Sequence, residues 1–131
     1  MPLQDDLNTL WKRYVAAYRA GDATGCAALF TLGAVLHSPF GPPARGRTEI
    51  EALHADWVAE GGGAKHMQLL ESGQTGDLAW CLCAFSEGDA TGEGVSLNVL
   101  ERQPDGDWKI RVCSLNAGDR GWNAGLTDRF A

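Results

Sequence analysis

Long apolar runs are missing from this chain of 131 residues, and so is any excess of positive charge. No stretch approaches the roughly 20 apolar residues that span a bilayer. The opening "MPLQDDLNTL" carries acids where a signal peptide carries a basic region and an apolar core. These absences predict a cytoplasmic protein with no membrane partner. Seventeen acids against eleven bases give a net charge of -6 and a pI near 4.9. That balance disfavours nucleic acid and anionic lipid surfaces alike. It does not attract anionic substrates either, so a small apolar or neutral molecule is the expected partner. There is no CxxC pair and there are only three histidines, so no metal and no cofactor is expected. The four cysteines, Cys26, Cys81, Cys83 and Cys113, sit inside apolar runs and read as buried thiols of a reducing compartment. With no internal repeat and no linker, residues 1–131 are expected to form one domain.

What is present is strong periodicity. Leu7, Leu10, Trp11, Tyr14, Val15 and Tyr18 recur at helical spacing and predict one long amphipathic helix over residues 3–20. Gly21 ends it, and Asp22 caps a short second helix with Cys26, Ala27, Leu29 and Phe30 turned inward. "GAVLHSP" predicts a brief strand stopped by Pro39, and "FGPPARG" a turn-rich loop. Thr48 and Glu51 fit a capping box at the start of a third helix. Its apolar stripe is Ile50, Leu53, Trp57 and Val58, with His54 in the middle.

After residue 64 the period changes from 3.6 to 2. Strands are expected over about 65–73, 77–87, 93–103 and 107–116, separated by turns at Gly76-Asp77 and Pro104-Asp105-Gly106. Helices first and hairpin strands later predict an α+β fold with an antiparallel sheet. Three N-terminal helices against one face of a strongly bent sheet enclose a cone with a deep pocket.

Two tyrosines one turn apart on the greasiest side of the first helix need partners for their hydroxyls, because a buried, unpaired phenol is costly. His54 falls on the helix face that looks into the cone, which allows a Tyr14–His54 hydrogen bond across it. Trp11, Tyr18, Phe30, His37, Leu53 and Trp57 are candidate lining residues. Trp80 and Trp108 read as sheet packing, His66 as surface, and Trp122 in the glycine-rich tail as a cover for the pocket mouth or a dimer seam.

The helix pattern "RYVAA" followed by "AGD", then "ALF", "AVLHSPFGPPARGRTEI", "GDLAW" and "VLERQPDGDWKI", resembles the nuclear-transport-factor-2-like superfamily over roughly residues 5–117. Its ketosteroid isomerase-like and SnoaL-like branch is the most similar. The resemblance implies a cystatin-like α+β barrel, a pocket within it and a homodimer. It places Tyr14 at the position of the tyrosine that donates a hydrogen bond to the developing oxyanion. With one gap, His54 stands where a second tyrosine supports the first, and Asn98 stands near the carboxylic acid that completes the oxyanion hole. The general-base aspartate is replaced by Ser38, whose hydroxyl is too weak to shuttle protons near neutrality. His37 adjoins Ser38 but alternates to the opposite face of its strand.

Two classes of function follow. One is acid-base isomerisation or cyclisation of a small apolar carbonyl compound, with Tyr14 and Asn98 polarising the oxygen and His54 moving the proton. The other is a non-catalytic module for apolar-ligand binding or dimerisation. The replacement of the aspartate favours the second, and the tyrosine at its family position favours the first. The resemblance implies a third possibility, water attack on an epoxide, which in the family relies on paired acids and an arginine inside the pocket, and no inward face here is expected to carry them.

Overall fold

The computed structural model describes residues 2–87 and 93–117. Helix α1 (Pro2–Arg19) buries Leu7, Leu10, Trp11, Tyr14 and Tyr18 along the stripe its spacing predicts. Gly21 turns the chain, and the Asp22 carboxylate accepts from the Gly25 amide at 2.9 Å to cap α2 (Ala23–Ala27). Phe30 is not part of that helix. It opens strand β1 (Phe30–Ser38), which therefore starts well before the expected "GAVLHSP".

The "FGPPARG" segment is the clearest departure from the expected organisation. Residues Gly41–Arg45 form strand β2, antiparallel to β1, where a loop was expected. Pro42 and Pro43 are tolerated because β2 is the outer edge of the sheet, where a missing donor costs nothing. Helix α3 (Arg47–Ala59) begins without the expected capping box. Its N-cap is Gly46, at φ 85°, and no side chain caps it. Only glycine takes that conformation cheaply, and here it directs the Gly46 amide onto the Ala34 carbonyl of β1 at 2.7 Å. Glu49 contributes instead, accepting from the Arg45 amide. Arg47 reaches back to the Phe30 carbonyl with its Nε at 3.1 Å, pinning the start of α3 to the start of β1.

Strands β3 (His66–Thr75), β4 (Leu78–Ser86), β5 (Gly94–Arg102) and β6 (Trp108–Ala117) form an antiparallel meander. Strand β1 then pairs with β6 in parallel, giving the order β2-β1-β6-β5-β4-β3. The result is a mixed α+β fold whose six-stranded sheet curls without closing, β2 and β3 remaining its edges. Register shifts bend it: one at Leu70, one at Arg111 and one between Phe30 and Val35. The shift at Arg111 also flips the inward parity of β6. Trp108 and Ile110 are buried before it, and Cys113 after it, so the alternation that begins at Trp108 does not continue to Val112.

The concave face carries Ala79, Cys81, Cys83 and Phe85 from β4, with Ser96, Asn98 and Leu100 from β5, and meets the helices. All four cysteines are buried and free. Trp80 lies on the opposite, convex face, 42% exposed, with its indole over Gly73 of the paired strand. Among the described residues no helix is long and apolar enough to cross a membrane.

Candidate functional site

Tyr14 of α1 and His54 of α3 face one another across the core. The Tyr14 hydroxyl lies 2.8 Å from His54 Nε2, and both residues are buried. His54 Nδ1 is 2.8 Å from the carbonyl oxygen of Ile50, one turn earlier on the same helix. A carbonyl only accepts, so Nδ1 holds the proton and Nε2 holds the lone pair. Tyr14 therefore donates to His54, and the phenol turns its own lone pairs toward the interior. Burial pushes the imidazole down to about 4, against the opposing pull of the Ile50 carbonyl, and a nearby lysine charge lowers it further. Burial also holds the Tyr14 phenol well above its ordinary value. Near neutrality both groups are uncharged.

Aromatic rings fix the pair. Trp11 meets the Tyr14 ring edge-on at 5.9 Å, while Phe30 and Trp57 flank the imidazole at 5.8 and 5.1 Å. Phe40 closes over Trp57 from the β1–β2 turn. Trp57 and Leu53 are half-buried and stand behind His54, which is itself fully buried behind Tyr14.

The hollow in front of Tyr14 is small. Its wall includes Trp11, Tyr14, Phe30, Lys65, Phe85 and Asn98, and its volume is about 20 Å³. That is room for about one water molecule, so the deep pocket expected of the cone is largely filled by side chains from both layers. Its polarity is unspent. Trp11 Nε1 and Asn98 Oδ1 are buried without a hydrogen-bond partner. Asn98 Nδ2 donates to Ser96 Oγ at 3.0 Å. A hydroxyl can equally donate, so a turned amide would offer Nδ2 to the hollow and keep its bond to Ser96.

Lys65 is the site residue that sequence reasoning missed. It is only 7% exposed, with Nζ 4.5 Å from the ring centre of Tyr18 and 5.1 Å from that of Phe85. Its side chain enters because Gly62 lets the preceding loop lie flush on α1. A Cβ at Gly62 would stand 2.8 Å from the Tyr18 ring and 2.9 Å from the Tyr18 carbonyl. The signal was available: Lys65 has the same strand parity as Met67 and Leu69, which pack against the core.

The other candidates disperse. Tyr18 is buried beneath Lys65, beside the hollow. Ser38 stands at the β1–β2 turn, where its hydroxyl accepts from the Phe40 amide at 3.3 Å, and it is not on the wall of the hollow. His37 is exposed, as is His66. Trp122 lies outside the described residues. Among the described residues no group of three His, Cys, Asp or Glu side chains is placed to hold a metal ion.

Comparison with known proteins agrees with this architecture. A domain of unknown function with a cystatin-like fold from Nostoc punctiforme superposes with a TM-score of 0.76 at 19% identity, over 97% of this chain and 84% of that one. A ketosteroid isomerase-like protein from Erwinia carotovora atroseptica gives 0.69 at 20%, over 85% and 94%. An NTF-2 like protein of unknown function from Shewanella oneidensis gives 0.72 at 21%, over 88% and 98%. At such identities the likeness is one of fold. No curated protein matches the sequence. The SnoaL-like domain matches residues 11–112, most of the chain, and with it the chain belongs to the SnoaL-like branch of the nuclear-transport-factor-2-like superfamily.

Proposed function

We propose that the protein performs acid-base chemistry, an isomerisation or cyclisation, on a small neutral carbonyl compound that displaces side chains of the hollow's wall to bind before Tyr14. The observation that carries this reading is the buried 2.8 Å contact from the Tyr14 hydroxyl to a histidine whose tautomer is fixed by the Ile50 carbonyl. It reassigns the roles that the resemblance implies. Tyr14 already donates to His54, so it acts as a relay: its oxygen takes the substrate proton as its own proton passes to Nε2. The donors for the carbonyl oxygen are then Trp11 Nε1, which has no other partner, and Asn98 with its amide turned. Ser38 has no part in this reading.

The experiment is exchange of the α-protons of small ketones into deuterated buffer, followed by NMR. Tyr14→Phe is expected to abolish exchange above the buffer rate, and His54→Gln to slow it by about 10²–10⁴-fold, the usual worth of a positioned acid-base group. Exchange at the wild-type rate in Tyr14→Phe overturns the relay.

A second reading, a non-catalytic module for apolar-ligand binding or dimerisation, is favoured by the absence of a carboxylate among the described residues that line the hollow. It predicts no exchange in any of the three proteins.

The homodimer implied by the resemblance belongs to the same proposal. Its support is the convex face of the sheet, where Leu78, Trp80 and Leu97 are 45, 42 and 44% exposed on the paired strands β4 and β5. Sedimentation of the wild type as a dimer, and of Trp80→Arg as a folded monomer, is the expected result. A monomeric wild type ends the assignment.

A further inference from the structure

An amine among aromatic rings needs a reason to be there. Lys65 places its Nζ 4.5 Å from the Tyr18 ring centre, 5.1 Å from Phe85 and 5.9 Å from Tyr14, and its side chain lines the hollow. Among the described residues its ionic partner is Glu87, whose Oε1 is 3.9 Å away, too far for a hydrogen bond. The ring faces and Glu87 favour the ammonium, while burial favours the neutral amine and prevails, lowering the pKa. A lysine ordinarily sits in water at a helix or strand surface with its charge intact. This one is held at the wall of a cavity, beside a carboxylate that can carry its proton.

We propose that Lys65 is an imine-forming residue that binds small neutral aldehydes and ketones covalently. The inference takes its ligand class from the carbonyl reading above and adds the atom that bonds to it. Glu87 accepts a proton from the ammonium, and the freed nitrogen lone pair attacks the carbonyl carbon, forming the C–N bond. One nitrogen-bound proton passes to the oxygen. Glu87 then returns its proton to that oxygen, the C–O bond breaks, and water leaves as the iminium forms. The protein ends with one positive charge on nitrogen, as it began, and with Glu87 again a carboxylate.

A route to the amine requires one side chain to move. Outside the hollow, between α1 and β3, lies a groove of about 460 Å³, and Trp11 and Met67 line both spaces. Met67 is a flexible, unbranched wall whose displacement joins the two. The main chain of Lys65 is meanwhile pinned, its carbonyl accepting from Arg19 Nε at 2.7 Å and its amide donating to the Gly62 carbonyl at 3.1 Å. Movement is thus confined to the side chains that fill the space.

The chain has three lysines, Lys12, Lys65 and Lys109, which makes the test direct. The wild-type protein is exposed briefly to propanal at pH 7, reduced with borohydride, and mapped by peptide mass. Lys65 is expected to carry most of the propyl label, since burial lowers its pKa and so raises the fraction of neutral amine above that of the other two. Lys65→Arg, folded by circular dichroism, should lose that label and no other. Label spread evenly over the three lysines, or confined to Lys12 and Lys109, overturns the proposal, and the wild-type map decides this whether or not the variant folds. Label on Lys65 without ketone exchange overturns the relay alone. Exchange without label on Lys65 overturns the lysine alone.

Discussion

Replacing Phe30 with alanine is expected to lower the stability of the protein by about 3–5 kcal/mol, the usual cost of emptying a buried phenylalanine site. The side chain is 1% exposed, its ring centre is 5.8 Å from that of His54, and it lines the hollow. Its carbonyl, which holds Arg47 and so the start of α3, is main chain and survives the substitution. The loss therefore reports packing, without a simultaneous break in hydrogen bonding. The void it leaves adjoins the 20 Å³ space before Tyr14 and is walled mainly by apolar side chains. Such voids stay dry and take small apolar guests. Urea denaturation of the variant should show the loss, and saturating benzene should restore part of it. An unfolding free energy within 1 kcal/mol of wild type would show that the site collapses around the gap and that Phe30 does not hold the hollow open.

The parts of this site that lie on helices were legible because helical spacing is strict. Tyr14 and His54 each occupy the middle of an apolar stripe, so their approach follows once the two helices share a core. The direction of the hydrogen bond between them does not follow. It depends on the Ile50 carbonyl taking the proton of Nδ1, a contact that every helix offers and few histidines use. Strand β2 was hidden because prolines argue for a loop unless the strand is an edge, and edge position is a property of the whole sheet. The capping box at Thr48 was displaced by a tertiary demand: Gly46 must bond to Ala34, which sets the start of α3. The inward parity of β6 beyond Ile110 is not legible in the sequence, because a bulge at Arg111 leaves no mark in alternation until it is passed. Lys65 was overlooked for the opposite reason. Its parity was plain, but its charge argued for solvent, and only the close approach at Gly62 shows how the loop delivers it inward.

Acidification from pH 7 to pH 4 is expected to remove about 3 kcal/mol of stability through His54 alone. In the unfolded chain its imidazole titrates near 6.5, and in the folded protein burial lowers this to about 4. Between those values the unfolded state binds a proton that the folded state refuses, so stability falls as pH falls. The full contribution is present above about 6.5, declines by about 1.4 kcal/mol for each pH unit below it, and levels off once the folded protein also titrates. Carboxylates titrate in the lower part of this window too, so the measurement is a difference. Urea midpoints of wild type and His54→Gln, taken across pH 4 to 8, should diverge by that amount, the variant having the flatter curve. A wild-type curve that gains on the variant's as pH falls from 8 would mean that His54 is protonated in the folded state near neutrality and that Nε2 donates to Tyr14. The phenol would then be free to donate into the hollow, as the oxyanion role implied by the resemblance requires, and the relay would be replaced by it. The same titration thus measures a stability term and decides which way the proton between the two helices points.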